Sequence, residues 1–207
     1  MNEVVSPDGL AVRAGHHHNP YRYLLSDDEL DELLLELGTR RAASIWRNHT
    51  STAESAPRGV YGRACMAFVI MDPTAGPWIP NDRAVLGAIT VGDDGSSFLP
   101  NAAAKAGGHR RLARNYGEAV LVDTHLCGDG HFRYGHSADV RGLIVGASAQ
   151  TTDQDLFEAA ALAHDFVHAI TERHLAWTQR TGPGEWLTES DTPAAEHIAM
   201  VDWFAAT

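Results

Sequence analysis

The chain has 207 residues, of which 44% are hydrophobic and 21% charged, so it is long enough to bury a core without disulfides or a structural metal. The net charge of −11 argues against a nucleic-acid partner, because phosphate binding needs a basic surface. No leader-like segment and no apolar run of about 18 residues is found, so we expect a cytoplasmic protein with no membrane partner.

The first 25 residues predict an irregular N-terminal arm. The arm contains a run of three histidines, His16, His17 and His18. Such a run is typical of a metal-binding segment, although a polar loop is the stronger interpretation. With no export signal, the two cysteines, Cys65 and Cys127, are expected to be reduced thiols.

The first helix has a clear start signal. Ser26 and Glu29 form a capping-box pattern, in which the serine accepts from the helix backbone and the glutamate reaches back. Leucines of helical period then predict a helix that ends near His49. The later elements follow in chain order: strands at 64–71 and 84–91, a helix at 98–116, strands at 119–127, from 131 towards 136 and at 141–147, a helix at 154–179, and a short helix opened by Thr192-Pro193.

This order of elements predicts an α+β fold with a five-stranded antiparallel sheet flanked by helices. The predicted organisation has three parts: an N-terminal arm at residues 1–25, a single α+β domain at 26–180 and a helical C-terminal tail at 181–207. The tail carries aromatic residues, among them Trp186, Trp203 and Phe204. We expect it to pack on the domain or to support a homo-oligomer.

Two histidines lie one turn apart on the long helix. The spacing of His164 and His168 suits two imidazoles on one metal or ligand, although Asp165 stands where a zinc protease helix has glutamate. The pattern places both histidines beside the apolar arc of the helix, away from a solvent face that includes Glu158 and Asp165. The alternative is a pair of half-buried histidines bonded to backbone.

A polar hairpin provides the second group of candidate residues. Alternation along the strand 119–127 places Asp123, His125 and Cys127 on one face. The following strand places His131 and Arg133 together, so Cys127 and His131 should be close across the turn. We predict His125, Asp123 and His131 as a general acid–base set and Arg133 as a ligand-binding residue. The alternative, a solvated hairpin face, is slightly favoured.

A shared zinc or iron site is expected if the long helix packs over this hairpin. His125, His131, His164 and His168 would then be its metal ligands. Arg111, in a basic cluster with His109 and Arg110, is a further candidate for an anionic ligand such as a carboxylate or a haem propionate. A solvated helix face is the stronger interpretation of that cluster.

The segment 139–155, DVRGLIVGASAQTTDQD, resembles a strand, Gly/Thr turn and helix start of the GlcG/HbpS family, which includes the C-terminal domain of PduO-type proteins. A weaker match covers 89–91 and 103–106, and the resemblance spans about residues 60–175. It implies a five-stranded, profilin-like sheet flanked by helices, and haem as the ligand class. The family's usual Asp-Ala-Gly-Gly turn is absent, and no haem-contacting position carries over to this chain.

Three functions are therefore open. The leading expectation is a small-ligand-binding protein with a histidine-lined pocket, haem being the favoured ligand. The second is a metal- or histidine-dependent lyase, isomerase or hydrolase that acts on a small molecule. The third is a non-catalytic, oligomeric assembly protein.

Overall fold

The computed structural model of the protein describes residues 2–113, 135–182 and 195–201. It has an α+β fold whose described strands form one open antiparallel sheet of six strands, in the order β1-β2-β4-β3-β6-β5. The strands are β1 (Asn2–Val5), β2 (Ala11–His16), β3 (Met66–Met71), β4 (Val85–Val91), β5 (Ala138–Val140) and β6 (Leu143–Ser148). The helices are α1 (Asp27–Thr50), α2 (Leu99–Leu112), α3 (Thr152–Thr181) and α4 (Ala195–Ala199), with two 3₁₀ turns at Asn81–Arg83 and Gly95–Phe98.

The N-terminal segment is the main correction to the predicted fold. The prediction of an irregular arm is wrong for residues 2–16, which form the hairpin β1–β2, and β2 pairs with β4. Val12 and Ala14 face inward and are buried, whereas β1 is exposed along its whole length. A five-strand count is therefore too low, because the described sheet already has six strands.

The predicted strand 119–127 and residues 131–134 of the next strand lie outside the described residues, and 135–137 are not strand.

The central strand β3 carries the core on both of its faces. Met66, Phe68 and Ile70 face a cluster that α1 and the first five turns of α3 cover. Ala67 and Val69 face the opposite cluster, which α2 covers with alanines. All six residues of β3 are buried, so the apolar run that predicted this strand fills both layers of the core.

Helix α1 begins as its sequence predicts. Glu29 N donates to Ser26 Oγ, and Glu29 Oε2 accepts from Ser26 N at 2.7 Å, which confirms the capping box. Gly38 lies where α1 crosses the sheet. A Cβ at this position would approach Val12 Cγ1 to 2.7 Å, so the glycine allows the helix to lie close to β2. The helix ends at Thr50, one residue beyond the predicted end.

The chain divides into two compact units, Met1–Thr171 and Glu172–Thr207, and the division falls within α3. The first unit contains the six-stranded sheet, α1 and α2. The second contains the end of α3 and the short helix α4, which lies where Thr192-Pro193 predicted a final helix. No helix among the described residues has the length and apolar character needed to cross a membrane.

Candidate functional site

The predicted hairpin site lies outside the described residues. Asp123, His125, Cys127, His131 and Arg133 all fall within 114–134. Their roles as acid–base, ligand-binding and metal-binding residues therefore stay predictions. Within the described ranges, no group of three or more His, Cys, Asp or Glu side chains is placed to hold a metal ion.

The two helix histidines, His164 and His168, lie on the exposed side of α3. The predicted orientation of this helix is wrong, since Glu158 is fully buried and Asp165 is partly buried against α1. Glu158 accepts hydrogen bonds from Ser44 Oγ at 2.7 Å and Tyr61 Oη at 2.9 Å, and Arg41 bridges Glu158 and Asp165. This network satisfies the buried carboxylate and turns the acidic residues towards α1, whereas both histidines are exposed.

The basic cluster on α2 is mostly structural. His109 is buried and its Nδ1 lies 2.7 Å from Ser137 Oγ, which corrects its interpretation as part of a solvated helix face. Arg110 donates to Ile79 O at 2.8 Å and to Asn81 Oδ1 at 2.9 Å, which ties the loop before β4 to α2. Arg111 is exposed, and its predicted role in ligand binding stays a prediction.

The histidine run forms part of the sheet and the turn that follows it. His16 Nδ1 lies 2.6 Å from Asp31 Oδ1, and the same carboxylate accepts from His16 N at 2.7 Å. His18 Nε2 lies 3.4 Å from Asp72 Oδ2, a carboxylate that is itself buried. These contacts give His16 and His18 structural partners on α1 and after β3.

A pocket lies between the start of α2 and the turn that joins β6 to α3. Its volume is about 520 Å³, within the range of small-molecule sites. None of the described lining residues is a histidine. They are Arg63, Phe98, Asn101, Lys105, Ser148, Ala149, Gln150, Thr151, Thr152 and Asp155.

Lys105 and Asp155 form a buried ion pair in this pocket. Lys105 Nζ lies 2.7 Å from Asp155 Oδ2 and donates to Ala147 O at 2.8 Å, and the two side chains are 1% and 3% exposed. Asp155 Oδ1 accepts from the backbone N–H groups of Ala149, at 3.1 Å, and Gln150, at 2.9 Å. Burial raises the pKa of Asp155, while the Lys105 ammonium and these N–H groups oppose that rise.

Close packing of α2 on β6 brings Lys105 to this position. A Cβ on Gly146 would overlap Ala102 O and approach Ala106 N to 2.9 Å, so the glycine lets the helix backbone lie directly on the strand. The alanines on either side of Lys105 have no side chain long enough to hold the helix away. The lysine can therefore reach past β6 to the first turn of α3.

Arg63 supplies an exposed cation at the pocket. Its Nη1 donates to Ala149 O at 3.0 Å, and its guanidinium lies 5.4 Å from the centroid of the Phe98 ring. Thr151 and Thr152, at the start of α3, also line the pocket, so the positive end of the α3 dipole borders it. Thr151 Oγ1 accepts a hydrogen bond from Gln154 N at 3.4 Å. The charges of Lys105 and Asp155 cancel, which leaves Arg63 as the uncompensated full charge among the described lining residues.

Sequence reasoning missed this pocket because it followed the histidines. A compositional signal was present: Lys105 is the only lysine in the chain, and the other 15 of its 16 basic residues are arginines. A single lysine in a small-residue helix, with a glycine on the strand that packs against it, indicates a special position. The partner Asp155 lies 50 residues away, and this pairing cannot be derived from local pattern.

The pocket can bind a small molecule through one guanidinium, several hydroxyl and amide groups and an aromatic ring. The segment 139–155, on which the predicted GlcG/HbpS resemblance rests, contains most of β5, all of β6 and the start of α3, and its last residues line the pocket. The profilin-like expectation and that family resemblance both stay predictions. Comparison of the chain with protein families, with characterised proteins and with solved structures gave no match.

Proposed function

We propose that this protein binds a small organic carboxylate in the pocket between α2 and the start of α3. The observation that supports this most directly is the lining of the pocket, where Arg63 is the uncompensated charge among the described residues. A guanidinium presents two parallel N–H donors that match the two oxygens of a carboxylate. The remaining volume is bordered by Phe98 and Asn101, which suit an apolar and a hydrogen-bonding part of the ligand.

The charge of the pocket favours a monoanion. Arg63 and Lys105 contribute two positive charges and Asp155 one negative charge, so the described lining has a net charge of one. A carboxylate neutralises that charge, whereas a phosphate dianion would leave an excess of negative charge beside Asp155. The N-terminus of α3 adds only a partial positive charge.

Isothermal titration of the intact chain with lactate tests the proposal, with lactamide as the matched neutral ligand. We expect saturable binding of lactate at one site and no binding of lactamide, because only lactate carries the anionic group. Equal binding of the two ligands, or no binding of lactate, would contradict a carboxylate site.

Haem binding of the GlcG/HbpS type, on a profilin-like fold, is the second proposal. Its support is that the family-like segment contributes to the pocket. Arg63 could pair with a propionate, but no histidine is among the described lining residues, so the described pocket does not fit haem iron. Haemin titration tests this: a shifted Soret band that is lost in a His125→Ala/His131→Ala variant supports haem binding, and an unchanged band contradicts it.

Self-association is proposed on separate grounds. Strand β1 is an edge of the described sheet, and Val5 on it is 69% exposed. An exposed edge strand with an apolar residue favours pairing with a second chain. Sedimentation equilibrium should give a mass above that of one chain, and a monomer at all concentrations would contradict the proposal.

A further inference from the structure

The chain uses arginine for every basic position except the buried one in the pocket. Arginine is the usual choice for a buried ion pair, because its guanidinium stays charged and its planar donors fit a carboxylate. Lysine differs in one chemical respect: its primary amine can lose a proton and become a nucleophile. The single lysine stands where a ligand would lie, which suggests a chemical use of the amine.

We infer that Lys105 forms a reversible imine with the carbonyl group of an α-keto acid whose carboxylate is held by Arg63. The inference rests on the proposed carboxylate site and specifies the class of its ligand. Both groups line the same pocket, and Asp155 Oδ2, at 2.7 Å from Lys105 Nζ, is placed to take a proton from the amine. The raised pKa of Asp155 agrees with a carboxylate that accepts this proton readily.

The reaction balances without another reactant. The Lys105 ammonium gives a proton to Asp155, and the nitrogen lone pair forms a bond to the carbonyl carbon while the carbonyl electron pair moves to oxygen. That oxygen collects the proton held by Asp155 and a second proton from nitrogen, and it leaves as water when the carbon–nitrogen double bond forms. The product is a protonated imine, so the nitrogen keeps its positive charge next to the Asp155 carboxylate.

Reductive trapping on the intact native chain tests the inference. Pyruvate is incubated with the protein, borohydride reduces any imine to a stable secondary amine, and peptide mass mapping locates the added group. A protein of this 207-residue sequence has one lysine, so its map has two possible sites, Lys105 and the amine at the N-terminus of the protein that is tested. We expect an adduct at Lys105 whose yield saturates as the pyruvate concentration rises, and suppression of trapping by excess lactate, which has the carboxylate without the ketone.

Two variants sharpen the test. Lys105→Arg keeps the charge and removes the nucleophile, so we expect no adduct on any peptide that contains residue 105. Asp155→Asn keeps an oxygen for the backbone donors and removes the proton acceptor, so we expect trapping about 100-fold slower, the scale of general acid–base assistance. A trapping rate in Asp155→Asn equal to the native rate would overturn the role of Asp155. If either variant fails to fold, the experiment on the native chain still tests the imine.

The outcomes separate this inference from the proposed function. Binding of lactate and pyruvate with no adduct, or with an adduct at the terminal amine alone, would overturn the imine and leave the carboxylate site standing. Failure of both ligands to bind would overturn the imine and the carboxylate site together. An adduct at Lys105 that lactate suppresses supports both.

Discussion

Arg63 is the residue on which recognition of a carboxylate depends. Its guanidinium is positioned by Ala149 O and lies beside the ring of Phe98, so little side-chain freedom is lost when a ligand binds. A hydrogen bond that involves a charged group contributes about 1.5–3 kcal/mol. Arg63 should therefore contribute more to ligand affinity than any neutral residue of the pocket.

Replacement of this guanidinium tests that expectation. Arg63→Gln should weaken lactate binding about 10- to 100-fold, because the amide cannot supply the charge. Arg58→Gln is the matched control, since Arg58 lies over the Phe157 ring at 4.1 Å and does not line the pocket. Titration calorimetry of the two variants gives the comparison. Equal losses of affinity would show that lactate responds to the total charge of the protein and not to contact with Arg63.

Tyr21 makes stability depend on pH at the alkaline end. Burial, and then the Asp72 carboxylate and Tyr23, raise the pKa of Tyr21 to about 12 from its usual 10.0. The native state keeps the phenolic proton over a range in which the unfolded chain loses it. The free energy of unfolding should therefore be unaffected by Tyr21 below pH 10 and should fall as the pH rises from 10 to 12.

Comparison with Tyr21→Phe isolates this contribution, because other tyrosines also titrate in this range. Denaturant unfolding below pH 10 and near pH 12 should show a smaller loss of stability in the variant than in the native chain. A loss of the same size in both proteins would show that Tyr21 does not cause the alkaline loss of stability.

At the scale of elements, the contact of α2 with β6 forms the pocket. The helix lies on the strand at Gly146, and the distance between them determines whether Lys105 Nζ reaches Ala147 O and Asp155. A side chain inserted at this contact would push α2 outward. The ion pair and the ligand site should therefore fail together.

Gly146→Ala is the substitution that tests the contact. The new methyl group overlaps Ala102 O, so we expect a loss of about 1–3 kcal/mol in the free energy of unfolding, the usual effect of overpacking, and loss of lactate binding. Gly62→Ala is the control, because a Cβ there meets nothing within 4 Å. Urea denaturation of both variants checks the prediction, and a stable Gly146→Ala chain that still binds lactate would contradict it.

At the scale of the whole molecule, local signals predicted elements but not their partners. The capping box at Ser26 and Glu29 and the apolar run of β3 are decided by adjacent residues, so the sequence predicted them correctly. Strand β1 has no buried face and is held by backbone pairing and by the ion pair between Glu3 and Arg13, which no periodicity reveals. The pocket depends on contacts between residues that are far apart in the chain. The packing of α3 does so too, because its Glu158 accepts a buried hydrogen bond from Tyr61, 97 residues earlier.

The N-terminal hairpin is expected to be part of the stable fold. Removal of residues 1–16 would take Val12 from the core, worth about 1.5–3 kcal/mol for one buried valine, and would also expose the edge of β4. Removal of residues 1–5 takes only exposed β1 and should lower the melting temperature much less. Thermal unfolding of the two truncated chains makes the comparison. Equal melting temperatures would contradict the prediction that β2 contributes to the stability of the fold.

The pocket between α2 and the start of α3 is proposed to hold a carboxylate. A crystal structure of the protein grown with saturating lactate tests it most directly. We predict electron density for one lactate, with its carboxylate within hydrogen-bonding distance of the Arg63 guanidinium and its hydroxyl towards Lys105. A pocket without lactate in such crystals, or lactate bound only elsewhere on the chain, would contradict a carboxylate site in this pocket.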